Sequence, residues 1–344
     1  MLDVLTINQS LKWDEIVKSF KDYDIYWLSG YVKAFQIHGD GEPLLFYYEN
    51  DICRGINVVM KRDIALDKHF QGSLEEKAFF DFSTPYGYGG WIIEGDDSSS
   101  LFEEYNRWCL DHGIVSEFVR FHPVLNNHLN SSAFYDVIPL GETVAVDISD
   151  KQRIWDNLTS KNRNVIRKAI NSGIVIKNDS FETTYQTFIK VYNSTMDKDH
   201  ADPYYYFDSG FYHSIQNDLK DNSTVFYAEL NGQTIASSIM IYANDKMNYH
   251  LSGSLREYQH LAPSNLLLWK AAEWGNDQGF KTFHLGGGVG STEDGLLRFK
   301  KAFYRGELFR YHIGKRVFNQ RVYNALVSFR DSIEKVGFFP EYRG

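Results

Sequence analysis

The chain has 344 residues, of which 43% are hydrophobic and 16% aromatic, and its formal net charge is −9. That length favours two domains, and the aromatic content excludes an intrinsically disordered chain. The acidic balance excludes a protein that envelops nucleic acid with its whole surface, so a polyanionic ligand would need a local basic patch. The two cysteines lack metal-type spacing, and no long apolar run marks a signal peptide or a membrane span. We therefore expect a cytoplasmic protein.

The predicted elements of the first half begin with two helices. Apolar residues at helical spacing predict helices over Leu11–Phe20 and Ser29–His38. PLLFYYENDICRGINVVMKR predicts a β-hairpin that turns at residues 49–51. AFFDFSTPYGYGGWII predicts two strands around a glycine-rich loop, SLFEEYNRWCLDHG a helix, and IVSEFVRFHP and TVAVDIS two further strands.

The second half repeats this order of elements. TVFYAELNGQTIASSIMIYANDKMNYHLSGS predicts a three-stranded meander, SNLLLWKAAEWGNDQG a helix that ends at a glycine, and FKTFHLGG a strand. The segments DHG…VRFHP and DQG…TFHLGG are alike, which indicates an ancient duplication. The sequence therefore predicts an α+β protein with two domains, residues 1–150 and 151–344, which are joined through one basic helix over residues 151–172.

A glycine-rich stretch, FHLGGGVGSTEDGLLRFKKAFYRG, begins in the last of these strands. It does not match the dinucleotide motif G-x-G-x-x-G, because Ser291 stands where the third glycine is needed. It does not match a P-loop either, because Leu296 stands where that motif has lysine. The glycines therefore need an explanation other than phosphate binding.

Two basic or dipolar segments are candidates for binding an anionic ligand. The helix that begins at Ser264 and Asn265 presents free backbone amides and the positive end of its dipole, which suits a pyrophosphate; an ordinary helix start is the alternative. In the basic helix, Arg163 and Arg167 lie four residues apart, so two guanidiniums could hold one diphosphate. A solvated helix face is the alternative there.

The stretch STMDKDHADPYYYFD combines an acidic cluster with three tyrosines. The cluster lacks the spacing of a calcium loop and predicts a polar loop, so no metal site is expected. Tyr204 and Tyr205 are candidates for the wall of a polar-ligand pocket, with a place in the core as the alternative.

No motif for covalent catalysis occurs in the sequence. The chemistry would then rest on positioning and electrostatics. The helix after the glycine stretch supplies cations for that purpose, with a solvated charged face as the alternative. These cations are Arg298, Lys300, Lys301 and Arg305.

Four segments, SKNRNVIRKAINSG, STMDKDHADPYYYF, HLSGS…LAPSNLLLWKAAEWGNDQGFKTFHLGG and GLLRFKKAFYRG, together resemble the Fem family and its GNAT-superfamily relatives. DFSTPYGYGGW and VRFHP resemble the amino-terminal half of GNAT-type relatives. The resemblance runs in the same order from about Tyr31 to Gly306. It implies two tandem GNAT-like domains, each a mixed, mostly antiparallel sheet flanked by helices. It also implies acyl transfer, since Fem proteins are peptidoglycan-bridge aminoacyltransferases.

The resemblance implies roles for individual residues. Arg163 stands in a K-x-R motif whose arginine meets the diphosphate of the acceptor. Lys300 stands where Fem enzymes carry a lysine that steadies the developing oxyanion, so it is the candidate catalytic residue. Ser264 and Asn265 begin the helix that binds the CoA pyrophosphate in acetyltransferases. YQHLAPSN, however, lacks the glycine of the [Q/R]-x-x-G-x-[G/A] motif at this site, which speaks against CoA.

The resemblance also suggests an explanation of the glycine stretch. Gly286, Gly287 and Gly288 follow the fifth strand of the second GNAT-like domain, where the strands splay and the acyl group of the donor lies. Glycines at that place let the backbone approach a ligand closely. These three residues are therefore candidates for donor binding.

The sequence leaves three functions open. The first is transfer of an acyl or aminoacyl group, from acyl-CoA or aminoacyl-tRNA, to an amine of a sugar-nucleotide or other cell-envelope precursor. The second is CoA-dependent N-acetylation of an amino sugar. The third is a ligand-binding protein that has lost its donor site, because the fold alone does not exclude it. The charge disfavours extensive tRNA contact, no bound cofactor is expected, and the sequence does not indicate an oligomeric state.

Overall fold

The computed structural model describes residues 1–179, 181–330 and 337–344. The chain forms two compact units, one of residues 1–140 and 311–344 and the other of residues 141–310. The sequence had assigned residues 311–344 to the second domain. The described residues of this segment pack in the first unit, where Arg343 Nε and the Tyr342 hydroxyl both donate to the buried carboxylate of Asp81, at 2.5 and 3.0 Å.

The first unit begins with a mixed sheet and the helices that cover it. Its strands are β1 (Leu2–Thr6), β2 (Glu42–Glu49), β3 (Cys53–Asp63), β4 (Phe80–Ser83), β5 (Ile92–Gly95) and β6 (Ile114–Arg120), and its helices are α1 (Ser10–Lys18), α2 (Ser29–His38) and α3 (Ser99–Asp111). The sheet follows the order β1–β2–β3–β4–β6, with β5 on β3. Its pairs are antiparallel except β4 and β6, which are parallel and are connected through α3.

The second unit also contains a mixed sheet flanked by helices. Its strands are β7 (Asp136–Asp147), β8 (Val175–Asp179), β9 (Ser223–Leu230), β10 (Gln233–Ala243), β11 (Lys246–Ser254) and β12 (Thr282–Gly287), and β7 belongs to this unit from residue 141 onward. Its helices are α4 (Lys151–Asn157), α5 (Ser160–Asn171), α6 (Phe181–Lys198), α7 (Ser209–Asp218), α8 (Pro263–Asp277) and α9 (Gly295–Lys301). The order is β7–β12–β11–β10–β9–β8, and only β11 and β12 are parallel. The chain then returns to the first unit with β13 (Phe309–Val317), whose residues 313–317 pair with β6, and with α10 (Gln320–Phe329).

Each unit thus contains antiparallel strands, a crossover helix and one parallel pair, in the repeated order that the sequence predicts. The predicted α+β class, with mixed and mostly antiparallel sheets flanked by helices, is confirmed. In the part of the chain that the structure describes, no helix is long and apolar enough to cross a membrane.

Residues 151–172 form two helices where the sequence predicted one. Leu158 is extended (ψ 137°) and only 1% exposed in the core, so the chain leaves the helical conformation there. Thr159 then caps α5, because its hydroxyl accepts the backbone N–H of Asn162 at 3.2 Å. The break lets α4 and α5 pack separately against α8.

The core of the second unit lies between its sheet and helices α4, α5 and α8. On α5, Ile166 and Ala169 are three residues apart, share one face and are fully buried. From the sheet, Val146 and Phe283 contribute to the same cluster. This packing fixes the beginnings of α5 and α8 with respect to β12, where the candidate site lies.

Candidate active site

The candidate site lies where the parallel pairing of β11 and β12 ends. The two strands pair in parallel from Lys246–Thr282 only as far as Asn248–His284, although both continue beyond that point. β12 stays paired with β7 through Gly287, after a register shift between His284 and Gly286. The sheet therefore opens beside the last residues of β12, as the resemblance to GNAT proteins implies.

Lys300 places a buried ammonium at this opening. Its side chain is only 7% exposed, and its Nζ donates to the carbonyl of Gly287 at 2.7 Å. The ring centre of Tyr249 on β11 lies 5.9 Å from the same Nζ. Burial lowers the pKa of Lys300 from 10.5 to about 8, although the charge of Asp294 acts in the opposite direction. The sequence placed Lys300 at the margin of the buried face of its helix, and the structure places it inside.

The adjacent Lys301 has a different environment. Its Nζ lies 3.0 Å from Glu142 and 3.1 Å from Glu293, two partly or largely exposed carboxylates that raise its pKa. Successive residues of a helix point about 100° apart, which separates the two ammonium groups. Lys301 is therefore a matched control for Lys300.

The three consecutive glycines each leave room for a different group of the protein. At Gly286, where φ is +78°, an added Cβ would lie 3.3 Å from Lys300 Nζ. At Gly287 it would lie 2.8 Å from the carbonyl oxygen of Glu142 on the neighbouring strand. At Gly288 it would lie 2.5 Å from the carboxylate of Asp294. The loop accordingly needs all three glycines for its own packing around the lysine.

Asn162 is a buried residue that the sequence did not single out and that links elements around the candidate site. Its side chain is 2% exposed, its Nδ2 donates to the carbonyl of Ala302 at 3.2 Å, and its Oδ1 accepts Asn265 Nδ2 at 2.8 Å. The backbone N–H of Thr159 donates to the same carbonyl at 3.0 Å. The beginnings of α5 and α8 are thereby bonded to the end of the helix that carries Lys300. In the K-x-R motif Asn162 occupies the position written as x, so the motif gave no signal for it.

The residue that precedes α8 adopts a left-handed backbone conformation, which usually favours glycine, although it is an alanine. Ala262 stands at the glycine position of [Q/R]-x-x-G-x-[G/A] and adopts the left-handed conformation, with φ 56° and ψ 48°. Pro263 is the first helical residue, and no side chain caps the helix. Ser264 is half-buried in the first turn. The loop that precedes α8 therefore has a conformation that the absence of glycine had argued against.

The two arginines predicted to grip one diphosphate make different contacts. Arg163 donates to the hydroxyl of Ser160 at 3.3 Å, and Arg305 reaches the same hydroxyl at 3.4 Å. Arg167 lies 5.3 Å above the ring of Trp155 and donates to a neighbouring amide oxygen. In the described part of the unit, no ion pair joins Arg163 or Arg305 to a carboxylate. The structure thus brings Arg163 together with Arg305.

Tyr204 and Tyr205 lie in the segment between α6 and α7. Their rings are 5.4 Å apart and perpendicular, and the carbonyl of Tyr205 accepts the hydroxyl of Tyr192 at 3.0 Å. Tyr205 is 36% exposed, so it is not a core residue.

The acidic residues near these tyrosines include Asp202, which accepts the backbone N–H of Tyr204 at 2.9 Å. Within the described residues, no cluster of His, Cys, Asp and Glu has the arrangement of a metal site.

Comparison with known proteins gives one family match and several related structures. Residues 160–301 match the model of the acetyltransferase (GNAT) domain. UDP-N-acetylmuramoylpentapeptide-lysine N(6)-alanyltransferase from Weissella viridescens is 23% identical over 244 residues, which cover 69% of each chain. The crystal structure of FemX superimposes with a TM-score of 0.67 and 13% identity over 94% of this chain and 99% of that one. The C-terminal domain of a putative lysylphosphatidylglycerol synthetase from Agrobacterium fabrum gives a TM-score of 0.56 and 12% identity, with 92% of each chain covered.

The family match shows a GNAT acetyltransferase domain over residues 160–301, and the chain is therefore an N-acyltransferase. The chain is similar in sequence to a Fem-type alanyltransferase and in fold to FemX. The predicted resemblance and enzyme class are thereby confirmed.

Proposed function

We propose that this enzyme transfers an acyl or aminoacyl group from an activated donor to an amine of a nucleotide-linked cell-envelope precursor. The buried ammonium of Lys300 beside the open end of β12 is the observation that carries the proposal. The relative from Weissella viridescens, named for alanyl transfer to the lysine of a UDP-linked muramoyl pentapeptide, supports this choice of acceptor.

In the proposed mechanism, the neutral amine of the acceptor attacks the carbonyl carbon of the donor directly. A C–N bond forms, and negative charge develops on the carbonyl oxygen in the tetrahedral intermediate. Lys300 donates one N–H to Gly287, which leaves two N–H groups of its ammonium for that oxygen. One such donor stabilises a transition state by about 3 kcal/mol. Collapse breaks the bond to the tRNA hydroxyl or the CoA thiol, and the amine proton passes to the leaving group or to water.

For the acceptor, we assign the diphosphate to Arg163, with Arg305 beside it. Two guanidiniums at one hydroxyl form a local excess of positive charge in an acidic protein. The guanidinium of Arg167 lies over the ring of Trp155, so we propose it only as a secondary contact for the diphosphate. Tyr204 and Tyr205 are proposed as a wall of the acceptor site, since Tyr205 is exposed.

Replacing Arg163 with alanine is expected to weaken binding of the acceptor about tenfold, because a charge-assisted pair with the diphosphate is lost. Turnover at saturation should change little. Isothermal titration calorimetry with a UDP-linked sugar measures the affinity, and Arg167→Ala is the control, for which we expect a smaller loss. Unchanged affinity in Arg163→Ala would make the basic face of α5 a solvated surface.

For the donor, we propose that the acyl group lies beside Gly286, Gly287 and Gly288 and that the first turn of α8, at Ser264 and Asn265, meets its phosphate groups. Both acyl-CoA and aminoacyl-tRNA present phosphates. The second candidate function, CoA-dependent N-acetylation of an amino sugar, is favoured by one observation. Ala262 keeps the left-handed backbone at the glycine position of the CoA-binding motif.

The donor and acceptor can be identified together by mass spectrometry. The purified protein is incubated with UDP-N-acetylmuramoyl pentapeptide containing lysine, or with a UDP-linked amino sugar that has a free amine, and in each case with either alanyl-tRNA or acetyl-CoA. We expect an alanylated product from alanyl-tRNA. An acetylated amino sugar, formed only with acetyl-CoA, would support the second function. No product with either donor from a folded protein would favour a binding protein without catalysis.

A further inference from the structure

We infer that Asp294 is a positioning residue for Lys300, an inference that rests on the proposed role of that lysine. Both oxygens of its carboxylate accept backbone N–H groups. Oδ1 accepts from Leu297, in the first turn of α9, at 2.8 Å, and Oδ2 accepts from Val289, just after β12, at 3.0 Å. One side chain therefore bonds both ends of the loop that connects the strand to the catalytic helix.

These two hydrogen bonds hold both the carbonyl of Gly287, which accepts the ammonium, and the helix that carries Lys300. Gly287, whose carbonyl accepts the ammonium, lies two residues before Val289, and Lys300 lies three residues after Leu297. The carboxylate of Asp294 packs on the bare backbone of Gly288, where a Cβ would lie 2.5 Å from Oδ1. Moving Asp294 would thus shift the ammonium and its acceptor relative to each other.

Asp294 also contributes a negative charge that acts on the ammonium of Lys300. The other groups around Lys300 are the ring of Tyr249 on β11, Arg298 and Lys301 on α9 itself, and Glu142 and Glu293, which pair with Lys301. The negative charge of Asp294 partly offsets the burial that lowers the pKa of Lys300. Without it, we expect that pKa to fall below about 8, so that less of the lysine is charged at neutral pH.

The test compares Asp294→Asn and Asp294→Ala with a matched control, Asp150→Ala. Asp150 caps α4, which has seven residues like α9, by accepting the N–H of Gln152 at 2.7 Å. Asparagine at 294 keeps one acceptor for the cap of α9 but loses the charge and one of the two bonds. It therefore separates positioning from failure of the helix to form.

Titration of ¹³C-labelled lysine side chains by NMR reports on Lys300 without any substrate, with Lys300→Met to assign its signal. We expect the midpoint of Lys300 to move to lower pH in both Asp294 variants and to stay unchanged in Asp150→Ala. Turnover should fall about tenfold or more in Asp294→Ala, less in Asp294→Asn, and not in Asp150→Ala. An unchanged midpoint together with unchanged turnover in both Asp294 variants would overturn the inference.

The result also separates this inference from the proposed function. If Lys300→Met keeps full turnover, the catalytic role of Lys300 fails whatever the titration shows. If Lys300→Met is inactive while the Asp294 variants keep both the wild-type midpoint and the wild-type turnover, only the positioning role of Asp294 fails.

Discussion

Replacing Lys300 with methionine is expected to lower turnover about a hundredfold or more and to leave the affinity for the acceptor unchanged. Methionine keeps most of the apolar stem but removes the ammonium that we place at the developing oxyanion. Such a group acts mainly in the transition state, so the loss should appear in kcat and in kcat/KM alike. Steady-state kinetics with the identified substrates, together with calorimetry for the acceptor, measure both quantities.

Lys301→Met is the control for this experiment. Lys301 forms ion pairs with Glu142 and Glu293, and partly exposed pairs of this kind contribute little to stability. We expect its turnover to stay within about twofold of wild type, because its ammonium pairs with Glu142 and Glu293 and not with the carbonyl of Gly287. Equal losses of turnover in the two variants would show that only the total positive charge of α9 affects catalysis and that Lys300 has no specific role.

The same Lys300→Met substitution is expected to make the folded protein more stable at neutral pH. The pKa of Lys300 is about 8 in the folded protein, below its ordinary value of 10.5 in the unfolded chain, so folding disfavours the charged form. Below pH 8 both states are protonated, and the full cost of burying the charge is present. Between pH 8 and 10.5 the folded state binds fewer protons, so that cost is progressively removed as pH rises.

The size of the effect follows from these two pKa values. The cost is about 3 kcal/mol at pH 7 and falls to about 1 kcal/mol at pH 10. Urea denaturation at both pH values measures the difference in free energy of unfolding between variant and wild type. We expect the advantage of the methionine variant to shrink by about 2 kcal/mol between pH 7 and pH 10. An advantage that is independent of pH would mean that Lys300 is not buried as an ammonium.

Elements with strong local signals could be predicted from the sequence. The helix over Ser29–His38 has the predicted bounds, since Gly39 adopts φ 103° and ends it. The hairpin of β2 and β3 and the meander of β9 to β11 also form as predicted, because alternation and turn residues specify them locally.

Features that depend on distant contacts could not be predicted. The helix predicted over residues 151–172 breaks because Leu158 is buried against residues far away in sequence. Lys300 is deeper than its helical position indicates, because the Gly287 carbonyl of another element accepts its ammonium. Asp294 and Asn162 had no motif to mark them, since both act by bonding loop and helix ends together.

The pH dependence of turnover tests the role of Lys300 most directly when wild type is compared with Lys300→Arg. The amine of the acceptor titrates equally in both enzymes, so the ratio of their kcat values isolates the titration of residue 300. Arginine stays charged throughout, whereas Lys300 loses its proton near pH 8. We expect the ratio of wild type to Lys300→Arg to fall as pH rises through about 8. A ratio that rises over the same range would make the neutral lysine the active form, and would contradict oxyanion stabilisation by its ammonium.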